Sequence, residues 1–444
     1  MNKLVLSVAF KTIGCKVNQY ETVNLRQIFY KNGYQIKNFD EKADIYVINT
    51  CAVTHEAERK SRQMIRRASR LNPSGFIVVT GCAIQSNLQE IKNCKNDNNY
   101  YIVSNYYKDS IFNLLNKTLS NPDKNHIFYK TASQITSYPE NQQCSMSNRI
   151  RGLVKIQDGC NQFCSYCVIP YLRGRARSRA PEDILSEIKK MASNGYKEIV
   201  LLGINLGYYG IDLQDKNINL SKLIQEIEKI PQVERIRLSS IELQWINDEL
   251  INVFYNSSKL CHHLHIPLQS GDDDVLSLMC RRYNIKQFKN LIEKIREKIP
   301  FIAITSDVIV GFPGESDASF QKTYNFIEDT KFSKIHVFPY SERPFNLASL
   351  LPNRVNPDII KNRTKLLNSL SKKLQKYFFT KNIGQEKNVL IEYNFQKDNH
   401  DYICGLTDNY IRVITVKLQT NKGEMIKLKL KNVLDSCMEG EISI

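Results

Sequence analysis

Residues 157–179 read QDGCNQFCSYCVIPYLRGRARSR. Cys160, Cys164 and Cys167 fall in C-x₃-C-x₂-C spacing, and Arg173, Arg175, Arg177 and Arg179 follow at alternate positions. A strand-like run, GLVKIQ, precedes the cysteines and a helix-like run, PEDILSEIKKMASNG, follows. The cysteines therefore occupy the first loop of a βα series, and in (βα) barrels the loops after the strands carry the chemistry. Three thiolates this close hold a soft metal, yet structural zinc and most iron–sulfur clusters take four protein ligands. A three-thiol set leaves one position open to a small molecule. The rival is a zinc loop completed from a distance by His55, His262, His263 or His265.

Working outward, further βα alternation follows: EIVLLGI, RIRLSSI, HLHIPLQ, AITSDVIVG and KIHVFPY are strand-like, with helix-like segments between them. Six units are too few for a closed eight-fold barrel and suit a partial one. Upstream, KLVLSVAF, ADIYVINT, FIVVTGC and YYIVS alternate with amphipathic stretches, the pattern of a doubly wound α/β domain. Downstream of residue 375 come five short strand-like runs with turn residues between them, the signature of a small β-barrel. The expected class is α/β, divided into an N-terminal domain (1–120), a polar linker (121–148), a central partial (βα)₆ barrel (149–375) and a C-terminal β-barrel (376–444).

A second cysteine set is scattered along the first domain. Cys15, Cys51 and Cys82 each follow a predicted strand and lie 36 and 31 residues apart, about one βαβ step each. Parallel strands return to the same edge, so the three thiols should gather where α/β sheets bind ligands. Buried cysteines behaving as small hydrophobes are the alternative, but Asn18, Thr50, Thr54 and Gly81 are polar or loop-forming neighbours. The other six (Cys94, Cys144, Cys261, Cys280, Cys404 and Cys437) have no paired spacing and read as ordinary packing.

The chain has 444 residues, 42% of them hydrophobic, and a net charge of +17. That charge points to a polyanionic partner. Mean hydropathy is −0.38, and no run reaches the roughly 18–20 apolar residues of a membrane span. The start, MNKLVLSVAFKTIG, reads as a first strand and not as a signal peptide. The expected compartment is the cytoplasm, where twelve cysteines imply metal or redox chemistry at some of them.

Together the first triplet and its loop resemble the radical S-adenosylmethionine superfamily, which implies a [4Fe–4S] cluster that chelates and cleaves the cofactor to a 5′-deoxyadenosyl radical. Over its whole length the chain resembles the methylthiotransferases, whose C-terminal barrel is a TRAM domain. GCKVNQYE, NTCAVT, HLHIPLQSG and DVIVGFPGE are most similar to the branch acting on threonylcarbamoyl-adenosine in tRNA. The resemblance implies methylthiolation at C2 of that adenosine, beside the anticodon. It also implies a second [4Fe–4S] cluster at Cys15, Cys51 and Cys82, two S-adenosylmethionine molecules, an anticodon stem-loop partner and an electron donor such as a flavodoxin or ferredoxin. By the same analogy Gly203, Asn205, Ser239, Glu242, Gln269 and Asp307, at predicted strand ends, line the cofactor pocket.

If the segment is extended, the four arginines share one side and suit RNA phosphate or a cofactor carboxylate. ERKSRQMIRRASR and KNRTKLLNSLSKKLQK offer further cationic faces. The C-terminal barrel is nearly neutral, with ten Lys/Arg against nine Asp/Glu between Lys376 and Ile444. One departure stands out: Phe345 and Asn346 occupy positions where the family commonly has Gly-Thr. Rival functions are methylthiolation of isopentenyl-adenosine, modification of a ribosomal-protein aspartate, and a non-catalytic iron–sulfur RNA-binding regulator.

Overall fold

The computed structural model describes residues 6–94, 99–119, 126–138, 150–416 and 420–442. Two compact units emerge. One contains Met1–Ser147 with Gln157–Arg179 and Ser341–Ser349; the other contains Asn148–Ile156, Ala180–Tyr340 and Leu350–Ile444. The cysteine loop thus belongs with the N-terminal domain, and the C-terminal barrel with the central one.

In the first unit, β1 (Ser7–Thr12), β2 (Gln35–Lys37), β3 (Ile45–Thr50), β4 (Phe76–Gly81), β5 (Tyr100–Val103) and β6 (His126–Phe128) form a parallel sheet in the order β2-β1-β3-β4-β5-β6. Its helices are α1 (Lys16–Lys31), α2 (His55–Leu71), α3 (Cys82–Ser86), α4 (Leu88–Lys92) and α5 (Ile111–Leu119). Strand β3 is buried along its whole length, as a central strand covered on both faces must be. One face packs on Tyr46, Ile48, Ile65 and Val79, the other on Val8, Leu25, Phe29 and Val78. Thr54 caps α2 by accepting from Ala57 N–H at 3.2 Å, and Glu56 and Glu58 occupy its first turn, where the helix dipole favours negative charge.

Part of the expected linker is structured. His126–Phe128 pairs with β5 as an edge strand; three residues are too short to show periodicity in the sequence. Residues 129–138 follow it with a single 3₁₀ turn at Ala132–Gln134, while residues 120–125 and 139–149, Cys144 among them, lie outside the described residues.

The second unit holds β7 (Arg151–Lys155), while the two-stranded ribbon β8 (Gln157–Asp158) and β9 (Arg177–Ser178) belongs to the first. The first unit also holds α6 (Ile169–Arg173); the barrel's own further segments are, in chain order, α7 (Pro181–Ser193), β10 (Glu198–Leu202), α8 (Leu220–Glu228), β11 (Arg235–Leu238), α9 (Asp248–Asn256), β12 (His263–His265), α10 (Asp273–Leu278), α11 (Ile285–Lys298), β13 (Ala303–Val310), α12 (Asp317–Thr330), β14 (Lys334–Pro339) and α13 (Pro357–Lys381). The parallel sheets β7-β10-β11 and β12-β13-β14 are joined by bridges at Ile236–Leu260 and Ser240–His265. The result is the expected six-stranded partial barrel.

After α13, β15 (Glu386–Lys397), β16 (His400–Thr407), β17 (Arg412–Val416), β18 (Met425–Val433) and β19 (Met438–Ile442) close into a barrel in the order β15-β16-β17-β19-β18. Val389, Ile403, Val413, Leu428 and Met438 fill it. Closure removes the exposed edges that so short a sheet would otherwise present. No helix among the described residues is long and apolar enough to cross a membrane.

Candidate active site

Cys15 stands at the N-cap of α1, Cys51 immediately after β3, and Cys82 at the start of α3 immediately after β4. Because β1, β3 and β4 are adjacent and parallel, one sheet edge carries all three. Asn18 ties the loops together, its amide donating to the carbonyls of Ile13 and Thr50 at 2.9 Å each. At Gly14, φ is +96°, and a side-chain carbon there would lie 2.6 Å from the Cys51 sulfur. Glycine is needed both for its left-handed backbone and for the space that Cys51 occupies.

Cys51 and Cys82 are buried, while Cys15 stays open at the surface. Burial pushes the Cys51 thiol up to about 12, with the Cys82 sulfur adding to it. Although Cys15 reaches the surface, loss of water around its sulfur raises that thiol too, against the pull of Arg173. All three sulfurs therefore sense one another or the same guanidinium. Metal binding at such thiols displaces protons.

The Cys160 loop is held closed by its own backbone. Cys160 N–H donates to Gly174 O at 3.1 Å and Cys167 N–H to Cys164 O at 2.9 Å. Gly159, at φ +74°, lets the chain pass so close to Arg175 O that any side chain would collide. The 341–349 segment braces the loop from outside: Ala348 N–H donates to Ser165 O at 2.8 Å, and the Asn346 amide to Tyr166 O at 2.7 Å.

The arginines do not form the expected extended cationic side. Arg173 ends α6 and is fully buried. It donates to Glu21 at 3.0 Å, to Asp158 at 3.0 Å and to the Asn18 side chain at 2.7 Å. Lys108 reaches the same Glu21 at 2.6 Å. Arg177 is buried and donates to the carbonyls of Arg173 and Arg175 at 2.9 and 2.8 Å; Arg179 is buried as well. These three are therefore withdrawn from the surface: Arg173 follows Leu172 of α6, which packs in one apolar core with Cys82, and Arg177 lies in β9, paired with β8. Arg175 alone is exposed, 4.4 Å over the Phe163 ring. Phe163, Tyr171 and Phe345 continue the aromatic run with centroids 5.7 and 6.5 Å apart.

In the second unit, Gly203 and Asn205 follow β10, Ser239 and Glu242 follow β11, and Gln269 follows β12, so one barrel end collects them. Gly203 N–H donates to Ser239 Oγ at 3.3 Å, Asn205 accepts from Gly207 N–H at 3.1 Å, and Glu242 pairs with Arg281. Gln269 holds φ at +66°. Asp307 lies within β13 and not at its end, 3.1 Å from His265. Sequence reading missed Glu21, Lys108, Asp158 and His336; Glu21 gave a signal, a carboxylate on the apolar face of α1.

The radical SAM superfamily matches residues 154–327, and the uncharacterized protein family UPF0004 matches residues 7–102. Over 96% of its length the chain is 39% identical to the threonylcarbamoyladenosine tRNA methylthiotransferase MtaB of Bacillus subtilis, covering 93% of that protein. The chain belongs to the radical SAM methylthiotransferase family. It is 33% identical to a tRNA-2-methylthio-N(6)-dimethylallyladenosine synthase of Bacillus mycoides, over 97% of this chain and 85% of that one. Among solved structures, the radical S-adenosylmethionine methyltransferase TsrM of Kitasatospora setae, with tryptophan and a cofactor analogue bound, matches with a TM-score of 0.56 at 13% identity, covering 77% and 74%. That likeness shows a shared fold.

Radical SAM methylthiotransferases use S-adenosylmethionine and [4Fe–4S] clusters. All-thiolate donor sets are the chemistry of iron–sulfur clusters, and neither set closes to the spacing of a single tetrahedral ion. Tetrahedral zinc places its thiolates about 3.8 Å apart, yet among the described residues only His265, Asp307 and His336 bring three such ligand atoms within 4.8 Å of one another. A four-iron cube spaces its thiolates more widely, each binding a different iron. The four histidines considered for a zinc loop are otherwise engaged: His55 with Arg343, His262 with Asp408, His263 with Thr305 and His265 with Asp307.

Proposed function

We propose that this family member methylthiolates C2 of N6-threonylcarbamoyladenosine at position 37 of tRNA, with one cluster on Cys160, Cys164 and Cys167 and another on Cys15, Cys51 and Cys82. The gathering of the second cysteine set at one sheet edge carries the two-cluster reading. Relatives named for the threonylcarbamoyl substrate align at 36–39% identity, those named for the dimethylallyl substrate at 31–33%, which favours the former branch. When bound, the clusters and two molecules of S-adenosylmethionine supply the radical, the methyl group and the site of sulfur delivery.

The chain's own residues hold and shape these sites. Arg173 fixes the Cys160 loop to α1 through Glu21 and Asn18 while placing its charge beside Cys15 and Cys82. Gly203, Asn205, Ser239, Glu242 and Gln269 form the rim where the cofactor binds. The partner is the tRNA anticodon stem-loop. Arg66 and Arg70 on α2, and Lys361, Lys365 and Lys372 on α13, are exposed and supply phosphate contacts, while Arg175, Tyr171 and Phe345 offer surfaces for stacking bases. A flavodoxin or ferredoxin supplies electrons in the cytoplasm.

The direct test is anaerobic turnover of cluster-loaded protein with S-adenosylmethionine, a reductant and threonylcarbamoyl-modified stem-loop. Methylthiolated nucleoside together with 5′-deoxyadenosine is expected; cofactor cleavage without a methylthio product on this or the isopentenyl stem-loop would overturn the assignment to tRNA.

A further inference from the structure

His265, Asp307 and His336 lie on the adjacent parallel strands β12, β13 and β14, and the register pairs Asp307 directly with His336. Their ligand atoms all fall within 4.8 Å of one another. His265 Nε2 stands 3.1 Å from Asp307 Oδ2, and the two imidazole centroids are 5.9 Å apart. Ligands about 2.1 Å from one ion at right angles are about 3.0 Å apart, so the measured separation suits shared coordination.

The surroundings prepare His265 for that role. Its Nδ1 lies 2.9 Å from Thr305 Oγ1, and the same hydroxyl lies 3.0 Å from His263 Nε2. A hydroxyl has one proton, so it donates to one imidazole and accepts from the other. An ion bound between His265 Nε2 and Asp307 would take the Nε2 lone pair, leaving Nδ1–H to donate to Thr305 Oγ1, which then donates to His263 Nε2. This is the outer support that metal-binding histidines have. Thr305 and His336 also line a cavity of about 280 Å³ with Arg151, Lys334, Tyr410 and Arg412, which gives an ion a route in.

We infer that His265, Asp307 and His336 bind a divalent first-row metal ion whose open positions take the carboxylate of the substrate. Two neutral imidazoles and one carboxylate leave a divalent ion with one net positive charge, and a two-histidine, one-carboxylate set leaves coordination positions vacant for an oxygen ligand. The carboxylate half rests on the function proposed above: threonylcarbamoyl-adenosine bears a carboxylate where isopentenyl-adenosine is purely hydrocarbon.

Equilibrium dialysis of the cluster-loaded full chain against zinc, with iron and zinc counted by mass spectrometry, tests the site. The expected result is one zinc per chain beyond the iron, lost in the double variant H265Q/H336Q and in D307N with iron content unchanged. T305V should keep the fold and weaken zinc binding roughly tenfold or more. No additional zinc, or zinc retained in both ligand variants, would overturn the site. With zinc present, wild type should bind the threonylcarbamoyl stem-loop about tenfold tighter than the isopentenyl one, and H336Q should lose that preference; equal binding by wild type overturns the carboxylate half. If turnover instead yields the isopentenyl product while zinc still binds, the proposed substrate fails and the metal site stands.

Discussion

Arg173 donates to the Glu21 carboxylate at 3.0 Å across 152 residues of sequence, and both side chains are buried. Removing one partner of a buried ion pair costs about 3–5 kcal/mol because the other charge stays desolvated. Arg173→Gln should therefore lower the thermal transition of the first unit and loosen the Cys160 loop, seen as faster amide exchange over residues 157–179. An unchanged transition and unchanged exchange would show that Arg173 does not anchor the loop.

The two cysteine sets should separate by experiment. Alanine at Cys160, Cys164 or Cys167 is expected to abolish S-adenosylmethionine cleavage. Alanine at Cys15, Cys51 or Cys82 should spare cleavage, counted as 5′-deoxyadenosine, and stop methylthiolation. Product formation surviving in the second group refutes the two-cluster reading.

Phe345 holds φ at +71° and is 62% exposed. The chain thus keeps a glycine-like backbone without the glycine, at a strain of about 1 kcal/mol. Phe345→Gly should leave the melting temperature equal or slightly higher while weakening stem-loop binding roughly tenfold, the loss of one stacked base. Undiminished affinity would remove Phe345 from the RNA surface.

The C-terminal barrel is fastened to the central one by buried arginines. Arg237 reaches Glu198 at 2.7 Å and the carbonyls of Thr407 and Asp408 at 3.0 Å each, and Arg235 reaches Leu406 O at 3.0 Å. Burial works to raise the Glu198 carboxyl, but Arg237 and Arg235 outweigh it and hold the carboxyl below its ordinary value. The hydrogen bond from His262 and the charge of Lys387 likewise outweigh burial at Asp408. A lowered carboxyl stabilises the fold fully above the ordinary value of about 4.3 and loses that contribution as pH falls through the folded value. Amide exchange in β16 should thus be flat from pH 8 to 5, correcting for intrinsic rates, and accelerate only on stronger acidification. Arg237→Ala should accelerate it at neutral pH. Loosening already at pH 6 would contradict this.

Much of this was readable in the sequence because it is periodic. The spacing of Cys15, Cys51 and Cys82 reports one βαβ step each, and parallel topology turns that into proximity. The arginines were misread for the opposite reason. Alternation suggested one extended strand, but Arg173 ends α6, whose Leu172 packs in the core, Arg177 falls in the short strand β9, and the partner that makes burial of Arg173 tolerable lies on a distant helix. His336 was invisible because its site exists only through the strand register joining it to Asp307. The edge strand β6 is too short to carry a pattern.

The central claim is tested most directly in a host lacking its own methylthiotransferases, by expressing this chain and analysing bulk tRNA nucleosides by mass spectrometry. A new 2-methylthio-N6-threonylcarbamoyladenosine peak is the predicted result. Loaded protein that leaves threonylcarbamoyladenosine unmodified would contradict the account.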